Sequence, residues 1–265
     1  MEFLITKFID TIVFLANTVG IFLIFGLLFK LLSSEIQKLE IDLFGLFSYI
    51  IIYPFVIIHE LSHLIMAIIF TNRITEVKLL NFSNDGTLGY VSFSKVNSNF
   101  KIRNLYQNIG DFYVGLAPII IGSGLFLIIS KFINNDLFNS IIKLSEKNET
   151  IFDLLASFKN VNNLQYIFNF NFILVILIIF SISSLFLLSK SDWEGCLQGI
   201  PYLVITMFVV NVFFNSFTWF VNFSKWLYFI QNTLFLTMLY IVFYSLLIYL
   251  LLKLINFIKT KREVG

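Results

Sequence analysis

The sequence predicts an all-α polytopic membrane protein of about six transmembrane helices, with a short β-hairpin after the second. Three observations carry this expectation. Hydrophobic residues make up 58% of the 265 positions and charged residues only 13%, with a mean hydropathy of +0.89. Several windows hold more than about 18 mostly apolar residues, the length a helix needs to cross hydrocarbon. Between Asn72 and Asn108 hydrophobicity drops, and apolar residues there recur at every second position. A soluble globular fold is excluded by this composition, and a net charge of +2 argues against a nucleic-acid partner. The lone Cys196 excludes an intrachain disulfide. Residues 1–265 read as one integral membrane domain set in a lipid bilayer, with a core at about 43–199 and C-terminal helices at about 200–258.

The first span is expected from about Thr11 to Leu32; it is too long for a signal-peptide core and no small-residue cleavage site follows it. A polar link, Ser33 to Glu40, leads to the second span, about Leu43 to Phe70, where Pro54 is expected to kink the helix. Val77, Leu79, Thr87, Gly89, Val91 and Phe93 then keep a period of two around Asn84-Asp85-Gly86, a hairpin signal. Asn99 to Asn108 reads as a short amphipathic helix on the membrane surface. The third span, about Ile109 to Lys131, places Asp111 at its start, where the helix macrodipole favours a carboxylate.

Phe132 to Ile167 is Asn-rich and expected as a loop, with Ile151, Leu154, Leu155, Phe158 and Val161 at the spacing of an interfacial helix. The fourth span, about Phe168 to Leu188, ends in the polar run Ser189 to Cys196; a fifth covers about Leu197 to Phe214. Trp219, Trp226 and Tyr228 resemble an interfacial aromatic belt, and the last span runs from about Thr233 to Ile258. An even number of spans puts both termini on one side. The basic connection after span two and the tail Lys259-Thr260-Lys261-Arg262 then fall together, on the cytoplasmic face of a multi-pass cell-membrane protein.

Within the second span stands His59-Glu60-Leu61-Ser62-His63, holding both histidines of the chain. Residues four apart on a helix lie roughly 40° apart around its axis, so both imidazoles can reach one metal ion. Ionisable side chains in hydrocarbon are costly unless they pair or bind an ion, which weighs against two idle core histidines. A catalytic zinc site takes a third protein ligand and leaves one position open for water, whose proton the intervening Glu60 can accept. With no further His, the third ligand is sought among Asp192, Glu194, Asp111 and Cys196.

These features resemble the site-2 protease family of intramembrane zinc metalloproteases. His59-Glu60-Leu61-Ser62-His63 with Ala67 matches the family's first motif. Gly115-Leu116-Ala117-Pro118 is similar to its Ala-Gly-Pro segment, and Ser191-Asp192-Trp193-Glu194-Gly195 to a divergent form of its Leu-Asp-Gly motif. The resemblance spans about Leu43 to Gly199. It implies a zinc metalloendopeptidase in which His59, His63 and Asp192 hold Zn2+ and Glu60 is the general base, with Glu194 and Asp111 as reserve ligands. It also implies a transmembrane or membrane-associated protein substrate, held as an added strand along about Thr75 to Ser94. Two departures stand out: Ile121 occupies the position of a family Asn, and Trp193-Glu194 separate Asp192 from Gly195.

Three other readings compete. A non-proteolytic zinc-binding relative needs no base, and Glu60 argues against it. An ion-coupled transporter using Glu60, Asp111 and Asp192 leaves the His-Glu-x-x-His spacing unexplained. A zincin-like membrane protease of the prenyl-protein-processing type uses Glu as third ligand and would favour Glu194.

Overall fold

A computed structural model describes residues 2–81, 88–96, 101–147, 179, 183–214 and 218–264. The chain forms α1 (Glu2–Leu15), a π-helical turn (Ala16–Gly20), α2 (Ile21–Phe44), a 3-10 turn (Gly45–Phe47) and α3 (Ser48–Ile69). Strands β1 (Arg73–Lys78) and β2 (Tyr90–Ser94) follow, then α4 (Lys101–Gly115), α5 (Ala117–Ile133) and α6 (Asn135–Lys147). A second 3-10 turn (Ser183–Phe186) precedes α7 (Lys190–Phe214) and α8 (Thr218–Val264).

Four helical stretches among the described residues are long and apolar enough to cross a membrane: Ile5–Ile50, Ile52–Ile69, Lys190–Phe214 and Phe223–Lys261. The pair α4 and α5, bent by 58° at the break between them, makes a fifth if taken as one span. The chain is thus a mostly helical, membrane-embedded protein with a small antiparallel sheet. Six spans are not found among the described residues; the expected fourth, about Phe168 to Leu188, lies largely outside them, as does the stretch from Ile151 to Val161.

Three local expectations are corrected. Ser33 to Glu40 is not a link but the continuation of α2. Phe29, Ser33, Ile36 and Glu40 recur at helical spacing and are buried, while Glu35 and Lys38 pair on the outer face at 2.6 Å. Gly45, at φ 57°, then ends the helix in the left-handed conformation that lacks a penalty only for glycine. Second, part of the Asn-rich stretch is helical: Asn134 Oδ1 accepts the Leu137 amide at 3.2 Å, and Leu137, Ile141 and Leu144 of α6 are buried one turn apart. Third, α4 runs past Asn108 to Gly115, so Asp111 is an interior residue rather than the start of a span.

The two strands of the expected hairpin are present as an antiparallel pair, while its turn, Asn84-Asp85-Gly86, lies outside the described residues. Val77 faces Val91, and Ile74 faces Phe93, with an irregularity between Ile74 and Glu76 that accommodates Thr75. Pro54 lies inside α3, which is one element on both sides of it.

The chain divides into two compact units. One comprises Met1–Ile24, Ser123–Val175 and Ile200–Tyr240. There Gln231 Nε2 donates at 2.5 Å to the Asn17 carbonyl in the π-helical turn, and Asn211 Nδ2 donates to Thr11 Oγ1 at 3.0 Å. The other comprises Phe25–Gly122, Ile176–Gly199 and Ile241–Gly265, and contains the histidine motif, the hairpin and Asp192.

In that second unit α3 ends in a Schellman pattern: the Asn72 amide donates to the Ala67 carbonyl and the Thr71 amide to the Ile68 carbonyl, both at 2.9 Å. Thr71 takes the position usually given to glycine, at φ 57°, and Gln107 Nε2 of α4 donates to its carbonyl at 2.8 Å. The ring of Tyr113 stacks on Phe70 at 5.4 Å, and Gly110 leaves room for Phe70, whose ring carbon Cγ lies 2.5 Å from where a Cβ would stand. These contacts bind the end of α4 to α3 about two helical turns beyond the motif.

Candidate metal centre

The motif helix α3 turns both imidazoles to one side. His59 Nε2 and His63 Nε2 lie 3.2 Å apart. Both Nδ1 atoms lie 2.8 Å from backbone carbonyl oxygens, His59 from that of Leu185 and His63 from that of Val114. A carbonyl only accepts, so each Nδ1 carries the hydrogen and donates it. Each Nε2 of the neutral rings then presents a lone pair.

The carbonyl partners are available because helices break beside them. In an unbroken helix the Val114 carbonyl would accept from the amide of residue 118. Residue 118 is proline, which has no N–H, so the Val114 oxygen is left for His63. Leu185 is the penultimate residue of the 3-10 turn Ser183–Phe186, and residues 187–189 are not helical, which leaves its carbonyl for His59.

Asp192 completes the cluster from the first turn of α7. Its Oδ1 lies 3.3 Å from His63 Nε2 and its Oδ2 3.8 Å from His59 Nε2. The side chain is fixed by a reciprocal cap: the Ser189 amide donates to Asp192 Oδ2 at 2.7 Å, and the Asp192 amide donates to Ser189 Oγ at 3.2 Å. This is a Ser-x-x-Asp version of the capping box. Gly115 allows α7 this close: a Cβ there would stand 2.3 Å from the Asp192 carbonyl oxygen. Trp193, which interrupts the expected Asp-Gly pair, lays its indole against Gly26 of α2, where a Cβ would meet it at 3.2 Å.

His59, His63 and Asp192 form the one group among the described residues that could hold a metal ion. Bonds of about 2.0–2.1 Å at a tetrahedral angle put ligand atoms roughly 3.3 Å apart. The separations of 3.2, 3.3 and 3.8 Å fit that spacing. Without a cation three lone pairs would face one another in a low-dielectric interior.

The reserve residues stand elsewhere. Asp111 Oδ2 accepts from Lys95 Nζ at 2.6 Å. Glu194 is exposed and lies 3.6 Å from Lys190. Cys196 is buried beside Gly115 and is not part of the cluster. A cavity of about 450 Å³ opens onto the cluster, lined by Glu60, by Tyr90, Val91 and Phe93 of β2, and by Glu194 and Gln198 of α7. Glu60 itself is buried. Gly89 lets the hairpin reach it, since a Cβ at that position would lie 2.9 Å from Glu60 Cγ.

Comparison of the chain with family models, with curated proteins and with solved structures finds no match in any of the three. The assignment of a function therefore rests on the chain's own geometry.

Proposed function

We propose that this protein is a zinc-dependent intramembrane protease that hydrolyses peptide bonds of membrane-embedded or membrane-adjacent proteins near the cytoplasmic face. One observation carries the reading: two imidazoles with Nδ1–H groups committed to carbonyls turn both Nε2 lone pairs toward a carboxylate at tetrahedral ligand spacing. Three ligands of nitrogen and oxygen that line a cavity would supply the donor set of catalytic rather than structural zinc. When bound, zinc supplies Lewis acidity at the scissile carbonyl and lowers the pKa of water.

The chain's own residues do the rest. Glu60, beside the ligands on the cavity wall, takes a proton from the attacking water and delivers it to the departing amine. In the two-stranded sheet β2 pairs with β1 along one edge, and its residues Tyr90, Val91 and Phe93 line the cavity. An unwound stretch of substrate can add to the other edge as a strand, giving the extended backbone that hydrolysis requires. Excess Lys and Arg in the connection after α3 and in the tail favours a cytoplasmic placement of both termini.

The test is a cleavage assay on a model transmembrane peptide with zinc measured in the same preparation. About one zinc per chain together with peptide cleavage is expected. A zinc-loaded protein that cleaves no peptide would overturn the reading.

A further inference from the structure

We propose that Lys95 is a positioning residue for the reaction above: it clamps the end of β2 to α4 and thereby holds the strand wall of the cavity against the metal cluster. Its ammonium donates to two side chains one turn apart on α4, Asn108 Oδ1 at 2.7 Å and Asp111 Oδ2 at 2.6 Å. Asp111 is buried, with 7% of its surface exposed, and pairs with Lys95 rather than joining the His59–His63–Asp192 cluster. Lys95 follows β2 directly, and both Lys95 and Asp111 line the same cavity as His59, Glu60 and His63.

The clamp adds to the packing that already joins the sheet to α3 and α4. β1 is exposed along most of its length, while Ile74 of β1 and Phe93 of β2 pack, partly buried, against Ala67, Phe70 and Val114. Gly89, just before β2, touches the motif helix at Glu60, which fixes one end of the strand. Lys95, just after β2, fixes the other end to the helix whose Val114 carbonyl holds His63. Substrate strand, cavity wall and ligand ring are thereby tied to one rigid helix. A charge-assisted hydrogen bond in a partly buried setting is strong enough to hold such a strand, and its loss loosens β2 without touching a ligand.

The inference rests on the proteolytic reading for its functional part, so the experiment carries a readout independent of cleavage. Full-length protein in bilayer nanodiscs is compared as wild type, Lys95→Met, Asp111→Asn and the exchanged pair Lys95→Asp with Asp111→Lys. Zinc content, amide hydrogen exchange of Tyr90–Ser94, and KM and kcat on the model peptide are measured. Both single variants are expected to keep the zinc, to exchange the β2 amides about tenfold faster, and to raise KM about tenfold while kcat stays within about twofold. The exchanged pair is expected to recover most of both losses. Unchanged exchange and KM in the single variants, or zinc lost in step with cleavage, would overturn the clamp. If the wild type proves not to cleave at all, the proteolytic reading fails alone and the exchange data decide the clamp.

Discussion

His63 Nδ1 stands 2.8 Å from the carbonyl oxygen of Val114, a residue 51 positions away whose own helix partner is replaced by the proline at 118. The ring is thus oriented by a gap in a distant helix. Pro118→Ala restores an amide that competes for the Val114 oxygen. Zinc affinity is expected to fall about 10–100-fold, the range for loss of an outer partner of a ligating histidine, in competition against a chromophoric chelator.

Ligand identity is tested by three isosteric changes. Asp192→Asn is expected to lose the metal through gel filtration, while Glu194→Gln and Asp111→Asn each retain about one ion per chain by elemental analysis. Equal metal content in all three would remove Asp192 from the ligand set.

Glu60 is a neighbour of the ligands and not one of them. Glu60→Gln is expected to bind zinc as the wild type does and to cleave about a hundredfold to ten-thousandfold more slowly. A variant with normal turnover would assign the proton transfer to another group.

Close approach of α4 and α7 depends on Gly115. Gly115→Ala forces a methyl into the Asp192 carbonyl and is expected to destabilise the protein by about 1–3 kcal/mol and to release zinc. Gly124→Ala on α5 is the control, since a Cβ there meets nothing within 4 Å. It is expected to be neutral or stabilising by up to about 1 kcal/mol in a detergent melt.

What the sequence makes legible here is what side-chain letters encode. The His59-Glu60-x-x-His63 spacing, Asp192 as one of four candidates and the period-two hairpin can all be read without coordinates, because chemistry and periodicity are local. Carbonyl partners have no letter. Nothing at Val114 or Leu185 marks them as supports for a ring, and only Pro118 hints that an oxygen nearby goes unclaimed. Ser189-x-x-Asp192 is a readable helix start, but Asp192 draws attention first as a ligand and its capping role is hidden behind that. The Lys95–Asp111 pair joins residues 16 apart across a strand-to-helix connection, beyond any fixed spacing rule. Ser33 to Glu40 misleads for a different reason: a helix with one buried face needs few apolar residues, so its composition looks like a linker.

Because both rings lean on peptide oxygens, alanine at most of the surrounding side chains would leave those struts standing. Only changes that bend the main chain, at the proline, at the tight glycine or at the serine that starts α7, can dislodge them. Drift can then rewrite most of the neighbouring side chains while the pose of the two rings persists, and sequences that share the pose need share little else.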